Sequence, residues 1–158
     1  MAGIKGPFAW KMIILHMSGQ DTDTPGGLTK WALENGYDDT PYHFIIDTRG
    51  RLFYGRPLTR QGCHGNKTAN EHGIGIAMIG NFNEHKPSSA QLRSTARLCA
   101  LLRIVYNILP SNIYGHKEVR NKPTSCPGDK FPLNKFRDAV MKDYLKIYGA
   151  CNFGGFPF

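Results

Sequence analysis

Two histidines and one cysteine, His16, His116 and Cys126, are residue types that could share a metal ion. His16 closes the run KMIILH (11–16), where a lone histidine ordinarily serves as a satisfied core residue. His116 lies in GHKEVRNKPTSCPG (115–128), and Cys126 follows it ten residues later. Pro123 fixes its own backbone angle and Pro127 pushes Cys126 towards an extended conformation, so the cysteine sits in a stiffened loop. Taken alone, Cys126 also reads reasonably as a buried thiol beside a turn. Two imidazoles and a thiolate suit zinc, and three protein ligands leave the fourth tetrahedral position to water. Such a water loses a proton near neutral pH and attacks a carbonyl that the metal polarises. No compact zinc motif such as HExxH or CxxC ties the three together.

The elements that would carry these residues are readable from patterning. In residues 11–16, Met12 and Ile14 point one way and Ile13 and Leu15 the other, as in a central strand. Residues 42–47 and 51–54 flank Thr48-Arg49-Gly50, a hairpin turn. Residues 74–80 form a further strand whose glycines allow close approach of other backbone, and 112–115 is a short strand leading to His116. A helix starts at Thr24 and Pro25 and stops at Gly36. Ser88 and Gln91 form a capping box that opens a helix to about Asn107, with Leu98, Leu101, Leu102, Val105 and Ile108 as its apolar positions. Pro132 begins a last helix, with Phe136, Val140 and Tyr144 apolar, that ends at Gly149. Helices interspersed with buried strands predict an α/β fold, a mixed sheet covered on both faces. The chain reads as one domain over 1–158, with a core of about 11–148 and an aromatic tail over 149–158.

Composition sets outer bounds. The hydrophobic fraction of 41% and charged fraction of 20% are ordinary for a globular domain, and no run of about 18 apolar residues offers a membrane span. The apolar run Met12 to Leu15 is too short for a signal-peptide core, so synthesis in the cytoplasm with delivery by other means is expected. A net charge of +8 favours polyanions, an acidic bacterial envelope among them. The basic residues are spread along the chain with no nucleic-acid arm, so no nucleic-acid partner is expected. Cys63, Cys99, Cys126 and Cys151 lack the density of a disulfide framework and are expected as reduced thiols.

The ordered segments ILH (14–16), PYHFIID (41–47), GRLFYGRP (50–57), GCHG (62–65), GIGIAMIGNF (73–82), GHKEV (115–119) and TSCPG (124–128) resemble the zinc-dependent type-2 N-acetylmuramoyl-L-alanine amidases. That family includes small phage lysis amidases and animal peptidoglycan recognition proteins. No single piece is specific; the order of all seven is. The resemblance implies a single α/β domain with a groove over the zinc at one side. It implies His16, His116 and Cys126 as ligands of one zinc ion, and Tyr42 as a phenol near the metal that hydrogen-bonds a developing oxyanion. On the residues alone, Tyr42 reads as a core aromatic. Thr124 matches a position held by lysine in some phage enzymes and threonine in recognition-type amidases. Lys122 stands two residues off that position, and the loop from His116 to Cys126 is about two residues longer than usual.

The same resemblance makes His64 and Asn70 contacts to substrate in the groove, His64 reading otherwise as a surface loop residue. A metal pair of Cys63 and His64 is awkward, since adjacent side chains diverge in extended backbone. His43 is expected to support the site from behind, His72 and His85 to lie exposed in loops, and Cys99 to be core. Whether Glu118 orients a ligand is left open. The activity implied is cleavage of the peptidoglycan amide between N-acetylmuramic acid and L-alanine, in a monomeric phage endolysin released to the wall. The rivals are a peptidoglycan-binding module without catalysis, a zinc peptidase cutting the stem peptide, and a nucleic-acid binder. Family members that only bind often lack the cysteine, whereas Cys126 is present.

Overall fold

The apolar run before His16 forms strand β1, Met12–Met17, and Ile13 to His16 within it are buried. Burial on both faces requires neighbours on both sides, which the other strands supply. In the computed structural model, which describes residues 9–119 and 122–153, these are β2 (Phe44–Ile46), β3 (Leu52–Tyr54), β4 (Gly73–Met78) and β5 (Ile113–Gly115). They join β1 in a five-stranded sheet of order β3-β2-β4-β1-β5. β1 runs parallel to β4 and β5, β2 runs parallel to β4, and the β2–β3 hairpin is antiparallel. The sheet is therefore mixed, as expected. Asp47 shapes the hairpin turn by accepting from Arg49 N at 3.0 Å and Arg51 N at 2.8 Å, while Gly50 takes φ +77°.

Helix α1, Pro25–Glu34, begins where Thr24 accepts a hydrogen bond from Gly27 N. Helix α2, Lys67–His72, is capped by Asn66; it was not foreseen, and it makes His72 a half-buried helix end rather than an exposed loop residue. Helix α3, Ser89–Tyr106, opens on the expected capping box and closes on Asn107 in the left-handed conformation. Leu98, Leu102 and Ile108 join or pack on the core, but Leu101 and Val105 are 44% and 65% exposed. The buried stripe of α3 instead runs through Thr95, Ala96, Cys99, Ala100 and Arg103. Helix α4, Leu133–Phe153, continues through Gly149, where a stop was expected. A glycine inside a helix costs only about 1 kcal/mol, and neighbouring turns carry it. The tail from Gly154 lies outside the described residues.

Alternation along β4 divides the molecule. Ile74, Ile76 and Met78 enter the core with Ile13, Leu15, Phe44, Ile46 and the inner faces of α3 and α4. Gly73, Gly75 and Ala77 turn to the opposite face, where α2 lies. The glycines were expected to admit another backbone. That holds at Gly73, where an added Cβ would stand 2.5 Å from Ala69 O, but at Gly75 the intruder is the His64 imidazole, also at 2.5 Å. Among the described residues Cys63 is exposed, Cys99 is buried and no disulfide forms. None of the described helices is long and apolar enough to cross a membrane.

Gly75→Ala should destabilise the protein by about 1–3 kcal/mol, the usual cost of overpacking. Gly26→Ala, where nothing lies within 4 Å, should be neutral or stabilising by up to about 1 kcal/mol. Urea midpoints measure both, and equal midpoints for the two variants would contradict the packing described.

Candidate metal centre

Parallel pairing sets Leu15 opposite Gly115, so the next residues, His16 and His116, leave neighbouring strands at the same edge. The carboxyl ends of parallel strands are where open α/β sheets form sites. His116 starts a 3-10 turn, His116–Glu118, and its ring centroid lies 4.4 Å from that of His16. Cys126 arrives from the following loop, held by Lys117 N donating to its carbonyl at 2.7 Å. Its Sγ accepts from Met17 N at 3.4 Å and stands 3.7 Å from His16 Nδ1. One donor atom each from His16, His116 and Cys126 lies within 4.8 Å of the others. Tetrahedral zinc, with bonds of about 2.0–2.1 Å to nitrogen and 2.3 Å to sulfur, sets such atoms about 3.6 Å apart. The donor set and its spacing therefore fit one metal ion.

Two devices hold the turn and the loop. Glu118 Oε2 accepts from Gly115 N at 2.8 Å and from Arg137 of α4 at 2.6 Å. Arg137 also donates twice to Ile113 O, at 3.0 and 2.8 Å. Glu118 thus orients His116 through the backbone before it, a role the sequence left open; nothing in the sequence marked Arg137. In the loop, Thr124 Oγ1 accepts from Cys126 N at 3.3 Å. Gly128 takes φ +116°, and a Cβ there would meet Phe82 O at 2.5 Å, so the chain doubles back against β4's trailing loop only with glycine.

The Tyr42 ring centroid is 5.0 Å from that of His16. Burial first, and then the Cys126 thiolate, push its phenol well above the ordinary range, so it stays a proton donor. Tyr42 stands between two hollows. One, of about 310 Å³, is lined by Ser18, Gln20, Asp23, Leu28 and Trp31; the other, of about 290 Å³, by Trp31, Tyr37, Cys63, His64 and Asn70. Trp31, half exposed on α1, walls both, a position with no distinguishing signal in the sequence.

His64 and Asn70 border the second hollow, yet their polar atoms are engaged within the protein. Asn70 Oδ1 accepts from the backbone N–H of His64 and Gly65, each at 2.8 Å, and its Nδ2 donates to Gly65 O. His64 is 6% exposed; its Nδ1 lies 3.1 Å from His16 Nε2 and its Nε2 lies 3.1 Å from Gly73 O. Burial foremost, with the neighbouring His43, lowers its pKa to about 3. His43 lies behind, as expected, accepting from Gly75 N at 3.0 Å, with its Nε2 3.1 Å from Arg60 O. His85 is exposed and pairs with Asp21 at 2.8 Å.

Residues 6–129 match the family described as N-acetylmuramoyl-L-alanine amidase. Peptidoglycan recognition protein 1 of Bos taurus is 28% identical over 128 residues, covering 75% of this chain and 66% of that protein. The chain thus spans just under two thirds of that relative's length. Among solved structures, the N-acetylmuramoyl-L-alanine amidase LysC from Clostridium intestinale URNW superposes with a TM-score of 0.78 at 32% identity, covering 85% of this chain and 87% of that one. Wild-type Drosophila PGRP-LB gives 0.66 at 28% identity, covering 78% of each chain.

Burial lowers the pKa of His43 to about 4. The unfolded chain takes up this proton below about pH 6.5, the folded protein only below about 4. Between those values the unfolded state binds more protons, so stability falls as pH drops, by about 1.4 kcal/mol per pH unit for this group. His64, with its pKa lowered to about 3, adds a loss of the same sign. Urea unfolding of chelator-treated protein should therefore show lower stability at pH 4.5 than at pH 7; an unchanged midpoint would mean that both rings are protonated in the fold.

Proposed function

We propose that this chain, which belongs to the N-acetylmuramoyl-L-alanine amidase family, hydrolyses the peptidoglycan amide between N-acetylmuramic acid and L-alanine with the aid of one zinc ion. The reading is carried by His16, His116 and Cys126 offering donor atoms within 4.8 Å of one another at one edge of the sheet. Zinc, when bound, supplies a Lewis acid and a water acidic enough to ionise near neutral pH. The Tyr42 phenol donates a hydrogen bond to the oxygen that gains charge as the amide carbonyl is attacked. Thr124, while accepting from Cys126 N, keeps its own hydroxyl proton to donate to the same oxygen. It brings no positive charge, so Tyr42 carries more of that stabilisation than it would beside a lysine. Hollows on either side of Tyr42, one of them bordered by His64 and Asn70, support a substrate that extends in two directions from the cluster.

On this reading the chain is a monomeric endolysin, made in the host cytoplasm and acting on the wall after release; a similar solved structure, LysCS from Clostridium intestinale URNW, is named an endolysin amidase. A net charge of +8 suits an anionic envelope. The likeness to a peptidoglycan recognition protein favours a second reading, binding without cleavage. Metal analysis and fragment mass on one wall preparation separate the possibilities. Amidase action leaves intact glycan strands and a new L-alanine amine; cuts within the stem peptide would make it a peptidase, and retention on walls without release a binding module.

Cys126→Ser should lower wall release by more than about 100-fold, since losing even an outer partner of a metal ligand costs about 10–100-fold, and zinc content should fall with it. Undiminished release would remove Cys126 from the ligand set. Tyr42→Phe should lower kcat by about 10²–10³-fold, the cost of one oxyanion donor, with zinc content kept. Unchanged kcat would exclude the phenol from the reaction.

A further inference from the structure

The hydrogen-bond chain behind His16 has a direction that chemistry alone decides. The carbonyl of Gly73 can only accept, so the His64 Nε2 that faces it at 3.1 Å carries the hydrogen. A buried neutral imidazole has one N–H, which leaves a lone pair on His64 Nδ1. His16 Nε2, 3.1 Å from that lone pair, must then be the donor. With its proton on Nε2, His16 presents the lone pair of Nδ1, the nitrogen 3.7 Å from Cys126 Sγ. His43 obeys the same logic independently. The amide of Gly75 can only donate, so His43 Nδ1 accepts and its Nε2–H is aimed at Arg60 O. Two backbone groups of β4 thus set the tautomers of the two rings that pack behind the cluster, 5.8 Å apart between centroids.

We propose that His64 is a positioning residue that relays the direction of the Gly73 carbonyl to His16, holding His16 in the tautomer whose Nδ1 can bind a metal ion. The proposal rests on the reading of His16 as a ligand. It gives His64 a part that a groove-lining contact with substrate does not require. Gly75 belongs to the device, because any side chain there would displace the His64 ring.

Long-range ¹⁵N–¹H spectra of the metal-free wild-type protein read the tautomers directly. Both His16 and His64 should carry hydrogen on Nε2; hydrogen on Nδ1 of either ring overturns the relay. Zinc affinity by chelator competition supplies the second arm. His64→Phe fills the space without an acceptor and should weaken binding about 10–100-fold. His64→Asn places an amide oxygen where Nδ1 stood and should stay within about threefold of wild type, as a kept outer partner implies. Equal affinities in all three proteins, or equal losses in both variants, would reduce His64 to packing and overturn the proposal. Should His64→Phe fail to fold, the wild-type spectra decide alone. A wild-type protein that takes up no zinc would sink the metal reading, while the spectra would still decide the relay.

Discussion

Parallel strands deliver their C-terminal ends to one edge of a sheet, and the pairing of β1 with β5 in the register Leu15 to Gly115 brings His16 alongside His116. Side chains alternate with a period of two, so a slip by a single residue would turn His16 into the core beneath α3 and α4 and bring an apolar neighbour to the edge. The apolar alternation of β1 guards against that slip: Ile13 and Leu15 are fully buried in the core cluster and cannot be exchanged for Ile14 and His16 without placing an imidazole there. Hydrophobic packing on one face of the sheet thus fixes the chemistry on the other.

That other face is unusually open for a buried one. Gly73, Gly75 and Ala77 present almost no side chain; the space at Gly73 is taken by the backbone of α2 and that at Gly75 by the His64 ring, and the rings of His64 and His43 meet backbone groups of β4. Polar rings so deeply buried need partners for each nitrogen; β4 supplies one for each ring, and His16 and the Arg60 carbonyl supply the others. The surrounding braces work in the same way. Glu118 and Arg137 tie the His116 turn to α4, and Asn70 clasps the loop that carries His64. The cluster is braced by residues that offer it no donor atom.

Local signals were legible in the sequence. The Ser88–Gln91 capping box, the Thr24–Pro25 start and the hairpin around Gly50 depend on residues a few positions apart, and each is found where its chemistry calls for it. Leu101 and Val105 were misplaced because an apolar count does not say which stripe of a helix faces inward; small residues and the stem of Arg103 occupy that stripe instead. Gly149 was taken for a stop, although a glycine inside a helix costs only about 1 kcal/mol. His16, His116 and Cys126 could be joined only through resemblance, since strand register, not spacing, unites them. His64 was noticed as a residue, but its bond to a backbone carbonyl leaves no trace in composition, and neither does the Met17 amide that faces the Cys126 sulfur.

His16 and Cys126 are 110 residues apart in the chain. An ion gripped by both is a reversible cross-link that closes most of the domain into a ring, in the manner of a disulfide but without oxidation. Loading it must await synthesis of nearly the entire domain, and stripping it reopens the ring at its widest point. With such an ion, resistance to proteases and the rate of unfolding would become functions of how much metal the surroundings hold, so atoms proposed to equip the domain for chemistry would also set its lifetime.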